Sequence, residues 1–197
     1  MSETMTVNAA ESTAESTAAK AAEDAAGAVT DERADLLAML AQHRYFLRVT
    51  TRGLTDEQAR QRTTVSELCL GGLIKHLTGG ERAWTDFIVA GPSAIGDATA
   101  MTEADWQRRT DEFRLLPGET LAGVLEEYEE QARMTDELVA ALPDLDASQP
   151  LPKAPWFEPG ALWSARRVLL HLIAETAQHA GHADIIRESL DGAKTMG

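Results

Sequence analysis

The chain has 197 residues, 44% of them apolar and 25% charged, which suits one globular domain around one core. Its formal net charge of -14 repels both the phosphate backbone of nucleic acids and an anionic membrane surface, so neither is an expected partner. The one cysteine, Cys69, excludes an intrachain disulfide, no apolar run reaches the roughly 20 residues that a spanning helix needs, and no basic-then-apolar secretory signal opens the chain; a cytoplasmic protein is expected.

Residues 1–30 carry almost no large apolar side chains and read as a disordered acidic tail, because little burial is on offer to offset the entropy of ordering. The domain is expected over 31–192, followed by a short tail at 193–197. A first helix is predicted from about Asp31 to Arg52. Thr30 or Asp31 would cap it, Leu36, Leu40, His43 and Leu47 would form its buried face, and Gly53 would stop it. Leu54 to Arg60 reads as a short capped turn of helix. A second long helix is expected from Ser66, as its cap, to Val89, ended by Gly91-Pro92. Thr102 caps a further helical stretch that Pro117-Gly118 breaks. The next helix runs from about Glu119 to Leu142, with Leu121, Val124, Leu125, Tyr128, Ala132, Thr135, Leu138, Val139 and Leu142 as its inner stripe. Residues 143–163 hold five of the seven prolines, together with Trp156 and Trp163. A connection of that length inside a compact domain is usually ordered and often functional. Ser164 caps the last helix, which ends at about Leu190 before Asp191-Gly192. No stretch alternates like a strand. Four long helices with one long crossover predict an all-α four-helix bundle.

The last helix carries the chemistry. His171, Glu175, His179 and His182 stand at i, i+4, i+8 and i+11, within an arc of roughly 80°. Apolar Val168, Leu169, Leu172, Ile173, Ile185 and Ile186 lie around them. A carboxylate among imidazoles in a partly dry site needs a partner, and a divalent cation supplies one. Imidazole and carboxylate suit zinc first, with nickel, iron or manganese as alternatives. The plainer alternative is a solvated polar face with Glu175 paired to Arg187 or another base. A further ligand must come from elsewhere. His43 reads as a core or rim histidine. His76 lies with Cys69, Gly72, Gly79, Gly80 and Ala83 on or beside its face, small residues that leave room for a cavity or for close helix packing. Cys69 reads as a buried structural thiol. The chain has no P-loop, Rossmann fingerprint, Gly-x-Ser-x-Gly elbow or zinc-ribbon cysteine pair.

Two segments together resemble the DinB/YfiT-like superfamily of metal-binding bundles, and most closely its actinobacterial DUF664 branch. They are Gly71-Gly72-Leu73-Ile74-Lys75-His76-Leu77 with Glu81-Arg82-Ala83-Trp84, and the run from Leu169 through His171, Glu175, His179 and His182 to Asp184. The resemblance covers about residues 33–192. That superfamily takes one ligand from its second helix and two from a His-x-x-x-His pair in its last. Here Glu175 replaces the first of the pair, as in the similar mycothiol-dependent maleylpyruvate isomerase branch. The resemblance therefore implies metal ligands at His76, Glu175 and His179. His182 and His171 would be catalytic groups that orient a ligand or relay a proton. Trp156 and Trp163, with Phe157, would wall the cofactor and substrate cleft.

The implied activity is a metal-dependent transferase that uses a low-molecular-weight thiol, mycothiol or a relative, as cosubstrate on a small electrophile. The alternatives are a metal-dependent hydrolase and a non-enzymatic metal- or ligand-binding stress protein. The expected partner is a small-molecule substrate, and an exposed helix face of such a bundle suits a homodimer.

Overall fold

The computed structural model describes residues 32–195. The tail expected at 1–30, the caps Thr30 and Asp31, and the last two residues lie outside them. The chain divides into two compact units, Met1–Leu37 and Ala38–Gly197; of the first, residues 32–37 are described, as helix. The protein is mostly helical. In chain order it contains α1 (residues 32–49), α2 (Asp56–Arg60), α3 (Leu70–Ala90), α4 (Glu103–Asp111), α5 (Leu121–Ala141), β1 (Ser148–Pro150), β2 (Leu162–Ser164) and α6 (Ala165–Asp191), with two 3-10 turns at Gly91–Ala94 and Ala98–Ala100. No helix among the described residues is long and apolar enough to cross a membrane.

Helix ends differ from the sequence expectation where side chains compete for backbone groups. α1 ends at residue 49 rather than Arg52. The hydroxyls of Thr50 and Thr51 donate to the carbonyls of Leu47 and Arg48, and Gly53 follows at φ 73°. Ser66 does not cap α3. Its hydroxyl accepts from the Leu68 amide to make a local turn, and the helix starts four residues later from an extended Cys69 without a side-chain cap. Thr55, Thr102 and Ser164 cap α2, α4 and α6, and Thr120, expected inside a helix from Glu119, caps α5. α4 stops at Asp111, well before Pro117, and buries nothing. In α5 the inner stripe runs through Gln131 rather than Ala132.

The proline-rich connection is ordered and contains the strands that its sequence did not suggest. β1 and β2 pair antiparallel with Ser148 opposite Ser164, Gln149 opposite Trp163 and Pro150 opposite Leu162. Strands of three residues are too short to show a period of two. Because Ser164 both ends β2 and caps α6, the hairpin fixes Trp163 at the start of the helix that carries the histidine stripe.

α3 packs against both α5 and α6. One core cluster joins Leu47, Leu70, Leu73, Ile74, Leu77, Val124, Tyr128, Ala183 and Ile186. A second joins Leu40, Phe87, Val168 and Leu172, with Trp84 and Trp163 against it. Burying side chains of this size stabilises by about 1.5–3 kcal/mol each. Between α1, α3 and α5 lies a buried polar network. Arg44 pairs with Glu81, both at most 5% exposed, and with Asp136 at 2.9 Å. Thr135 donates to Glu81 at 2.6 Å.

Candidate metal centre

Two helices build the site. α3 presents His76, and α6 presents His171, Glu175, His179 and His182 from one face, as the spacing predicts. His76, Glu175 and His179 each offer one ligand atom, and the three atoms lie within 4.8 Å of one another. The rings of His76 and His179 meet edge to face at 5.1 Å. His179 Nε2 is 3.4 Å from a Glu175 oxygen, and His171 Nε2 is 4.0 Å from the other. His182 Nδ1 lies 3.3 Å from His179 Nδ1, a separation that requires one proton between the two rings.

The electrostatics match a cation. Burial, helped by the neighbouring His179 and opposed by Glu175, pushes the His76 imidazolium down to about 4. Its Nδ1 is buried with no hydrogen-bond partner among the described residues. The hydrogen bond from His179 holds the Glu175 carboxyl below the usual carboxylate range, against the effect of burial. Burial likewise lowers His171. At neutral pH the cluster therefore holds a carboxylate beside a neutral His76. A divalent ion would meet both in the protonation state that it requires. An orphaned buried nitrogen, a second imidazole and a carboxylate form a borderline N/O donor set, which zinc, nickel, iron or manganese accept. Arg187, named as a partner for Glu175 in the solvated alternative, is held instead by Asp191 and by the carbonyls of Thr50 and Arg52. Ile185, expected beside the stripe, is 62% exposed.

Phe113, from the turn after α4, stacks on His76 at 4.0 Å and 25°. It comes that close because Gly72 lets the turn approach α3: a Cβ there would lie 1.9 Å from the Phe113 carbonyl oxygen. The Cys69 thiol is buried and reaches the same carbonyl, so it serves packing. His43 is half-buried against Phe46, away from the cluster.

At the other end, Trp84 and Trp163 stack at 4.8 Å and 17°. His171 touches both, at 4.9 and 5.2 Å. Phe157 packs on both indoles. Trp156 is 57% exposed and packs on Phe157. Sequence reasoning placed Trp163 here and gave Trp84 no role; its position two turns after His76 was the available signal.

A family model described as mycothiol-S-transferase matches residues 35–192. No curated protein matches the chain. Among solved structures, "Crystal structure of the conserved protein of locus from Enterococcus faecalis" is similar, with a TM-score of 0.57 at 12% identity over 80% of this chain and 96% of that one. At that identity the likeness concerns the fold.

Proposed function

The chain belongs to the mycothiol-S-transferase family, and on that premise we propose a divalent-metal-dependent transferase that joins a low-molecular-weight thiol of the mycothiol type to a small electrophile. The observation that carries this reading is the convergence of His76, Glu175 and His179 from two helices that are distant in sequence. α1, α3, α5 and α6, with residues 142–164 as the crossover, make the DinB/YfiT-like four-helix bundle in this reading.

His76, Glu175 and His179 hold the ion, zinc by preference. Three protein ligands leave a position open, as a catalytic rather than a structural site requires. Such an ion, when bound, keeps a thiol ionised at neutral pH. Glu175 supplies the compensating negative charge. His182, whose Nδ1 lies 3.3 Å from Nδ1 of His179, would take up the Nδ1 proton of that ring once Nε2 turned from Glu175 to the ion, and so fix the ring. His171, held between Glu175 and the two indoles, orients the second carboxylate oxygen. The thiol proton passes to solvent, the sulfur lone pair forms the sulfur–carbon bond, and the leaving group departs with the electrons of the bond it breaks.

Elemental mass spectrometry tests the site. The expected result is about one ion per wild-type chain, lost in Glu175→Ala and in His179→Ala, together with metal-dependent consumption of thiol in the presence of an electrophile. A wild-type chain that takes up none of zinc, nickel, iron or manganese would overturn the proposal. Hydrolysis of an ester or amide without thiol would move it to the hydrolase class.

A further inference from the structure

His76, Gly80 and Trp84 stand one turn apart on α3, within an arc of roughly 80° and a length of about 12 Å. Leu73 and Phe87, on the same face, are fully buried, so this face looks inward. Yet among the described residues a Cβ at Gly80 would meet no heavy atom within 4 Å. Protein interiors are normally filled, and a glycine inside a helix weakens it. Gly72 offsets that cost by admitting the Phe113 turn, but Gly80 admits nothing from the described residues. Gly79 also opens onto empty space, but it is exposed, whereas Gly80 is half-buried.

The opposite wall is α6. His179 meets His76 and His171 meets Trp84, so the gap at Gly80 falls between these two contacts, at the level of Glu175. One end is closed by Phe113 on His76. The other ends in the stacked indoles of Trp84 and Trp163 with Phe157 beside them. Arg167 already lies over the Trp163 ring at 4.9 Å, so the ring left to a ligand is that of Trp84, and a flat electron-rich ring favours a flat ligand that offers an electron-poor face.

We propose that this gap is the electrophile pocket, that it takes an electron-poor aromatic or similarly planar conjugated ring, and that Gly80 and Trp84 set that preference. The inference rests on the transferase reading for its chemistry, but not for its binding step. A ring bound at Trp84 lies within the length of α3 that leads to His76, which brings a substituent on its near side toward the proposed ligands.

The test is a ligand-observed NMR titration of the full chain, metal-stripped and zinc-loaded, with two uncharged alcohols of equal heavy-atom count, 4-nitrobenzyl alcohol and 4-isopropylcyclohexylmethanol. The expected result is at least about tenfold tighter binding of the nitroaromatic. Gly80→Leu and Trp84→Leu should each lose about tenfold of that affinity with helix content unchanged. Gly80→Leu serves as the filling variant should Trp84→Leu disturb the core. Equal affinity for the two alcohols, or nitroaromatic binding that survives Gly80→Leu, would overturn the pocket. A chain that binds the ring but no metal would refute the transferase reading alone. One that binds zinc and consumes thiol yet prefers the cyclohexyl compound would refute the pocket alone.

Discussion

Two glycines on one helix should respond to the same substitution with opposite signs. At Gly72 an added Cβ would sit 1.9 Å from the Phe113 oxygen, 2.3 Å from its carbonyl carbon and 2.8 Å from the Arg114 nitrogen. A carbon–oxygen contact needs about 3.3 Å, so the turn must retreat by about 1.4 Å. The obstacle is backbone, and Leu115 next to it is buried and accepts from Arg60, so little can yield. Overpacking of this kind costs about 3 kcal/mol at the upper end. Set against about 1 kcal/mol of helix propensity gained, Gly72→Ala should lose about 2 kcal/mol. At Gly80 nothing lies within 4 Å, so Gly80→Ala should gain about 0.5–1 kcal/mol. The variants should differ by about 3 kcal/mol, or about 6–12 °C in Tm for a chain of this size. Urea unfolding followed by circular dichroism reads both. Gly72→Ala should also weaken metal binding, since the displaced turn carries Phe113 off His76. Wild-type stability in Gly72→Ala would refute the close approach of the turn. A loss above about 1 kcal/mol in Gly80→Ala would refute the open space.

Three further outcomes follow from burial. His76 titrates at about 4 in the folded chain against 6.5 unfolded, so the unfolded chain binds the proton first on acidification. The metal-stripped protein should hold its full stability from this group above pH 6.5 and lose about 2–3 kcal/mol of it on falling toward 4. Urea unfolding at pH 7 and 4.5, compared with His76→Phe, isolates that slope, and identical slopes would remove the claim. Glu81→Gln leaves the buried Arg44 without its main counter-charge and should cost about 3 kcal/mol, the low end for a broken buried pair because Asp136 remains; a cost under about 1 kcal/mol would mean that Arg44 escapes to solvent. Tyr128 is 1% exposed and its hydroxyl has no hydrogen-bond partner among the described residues, so Tyr128→Phe should be neutral or gain about 1 kcal/mol, and a loss in thermal unfolding would reveal a hydrogen bond.

The candidate ligands were legible in the sequence because α6 is regular. Four polar residues at helical spacing share a face in any straight helix, and Ser164 and Gly192 mark its ends by ordinary capping chemistry. What periodicity cannot show is which second helix faces that stripe. His76 was selected by resemblance, and only the packing of α3 on α6 brings it to His179. The missed features are those in which tertiary contact overrides local preference. Arg44 drew no reading from the sequence, yet it is buried because Glu81 waits on α3. Gln131 took the inner position expected of Ala132 because Arg82, Thr85 and Thr135 satisfy its amide. The hairpin escaped notice because its two strands are short and lie on either side of an 11-residue excursion, residues 151–161.

The two sides of α3 carry opposite kinds of expense, and the pairing explains both. On one side stands His76 with an unfilled space one turn beyond it. Roughly 140° around the helix stands Glu81, held by Arg44 of α1 and Thr135 of α5. A buried ion pair adds little net stability, because desolvation consumes most of the attraction. An apolar repacking of the same volume would serve the core as well. What the pair supplies is direction. Its bidentate geometry accepts one rotation and one height of α3, whereas greasy side chains tolerate several. A helix with a gap on one face would gain packing by rolling inward to fill it. The Arg44–Glu81 lock opposes that roll, and it sits five residues from His76. The rigidity that His76 would need as a metal ligand would thus come from the back of the helix, which leaves the front free to stay open.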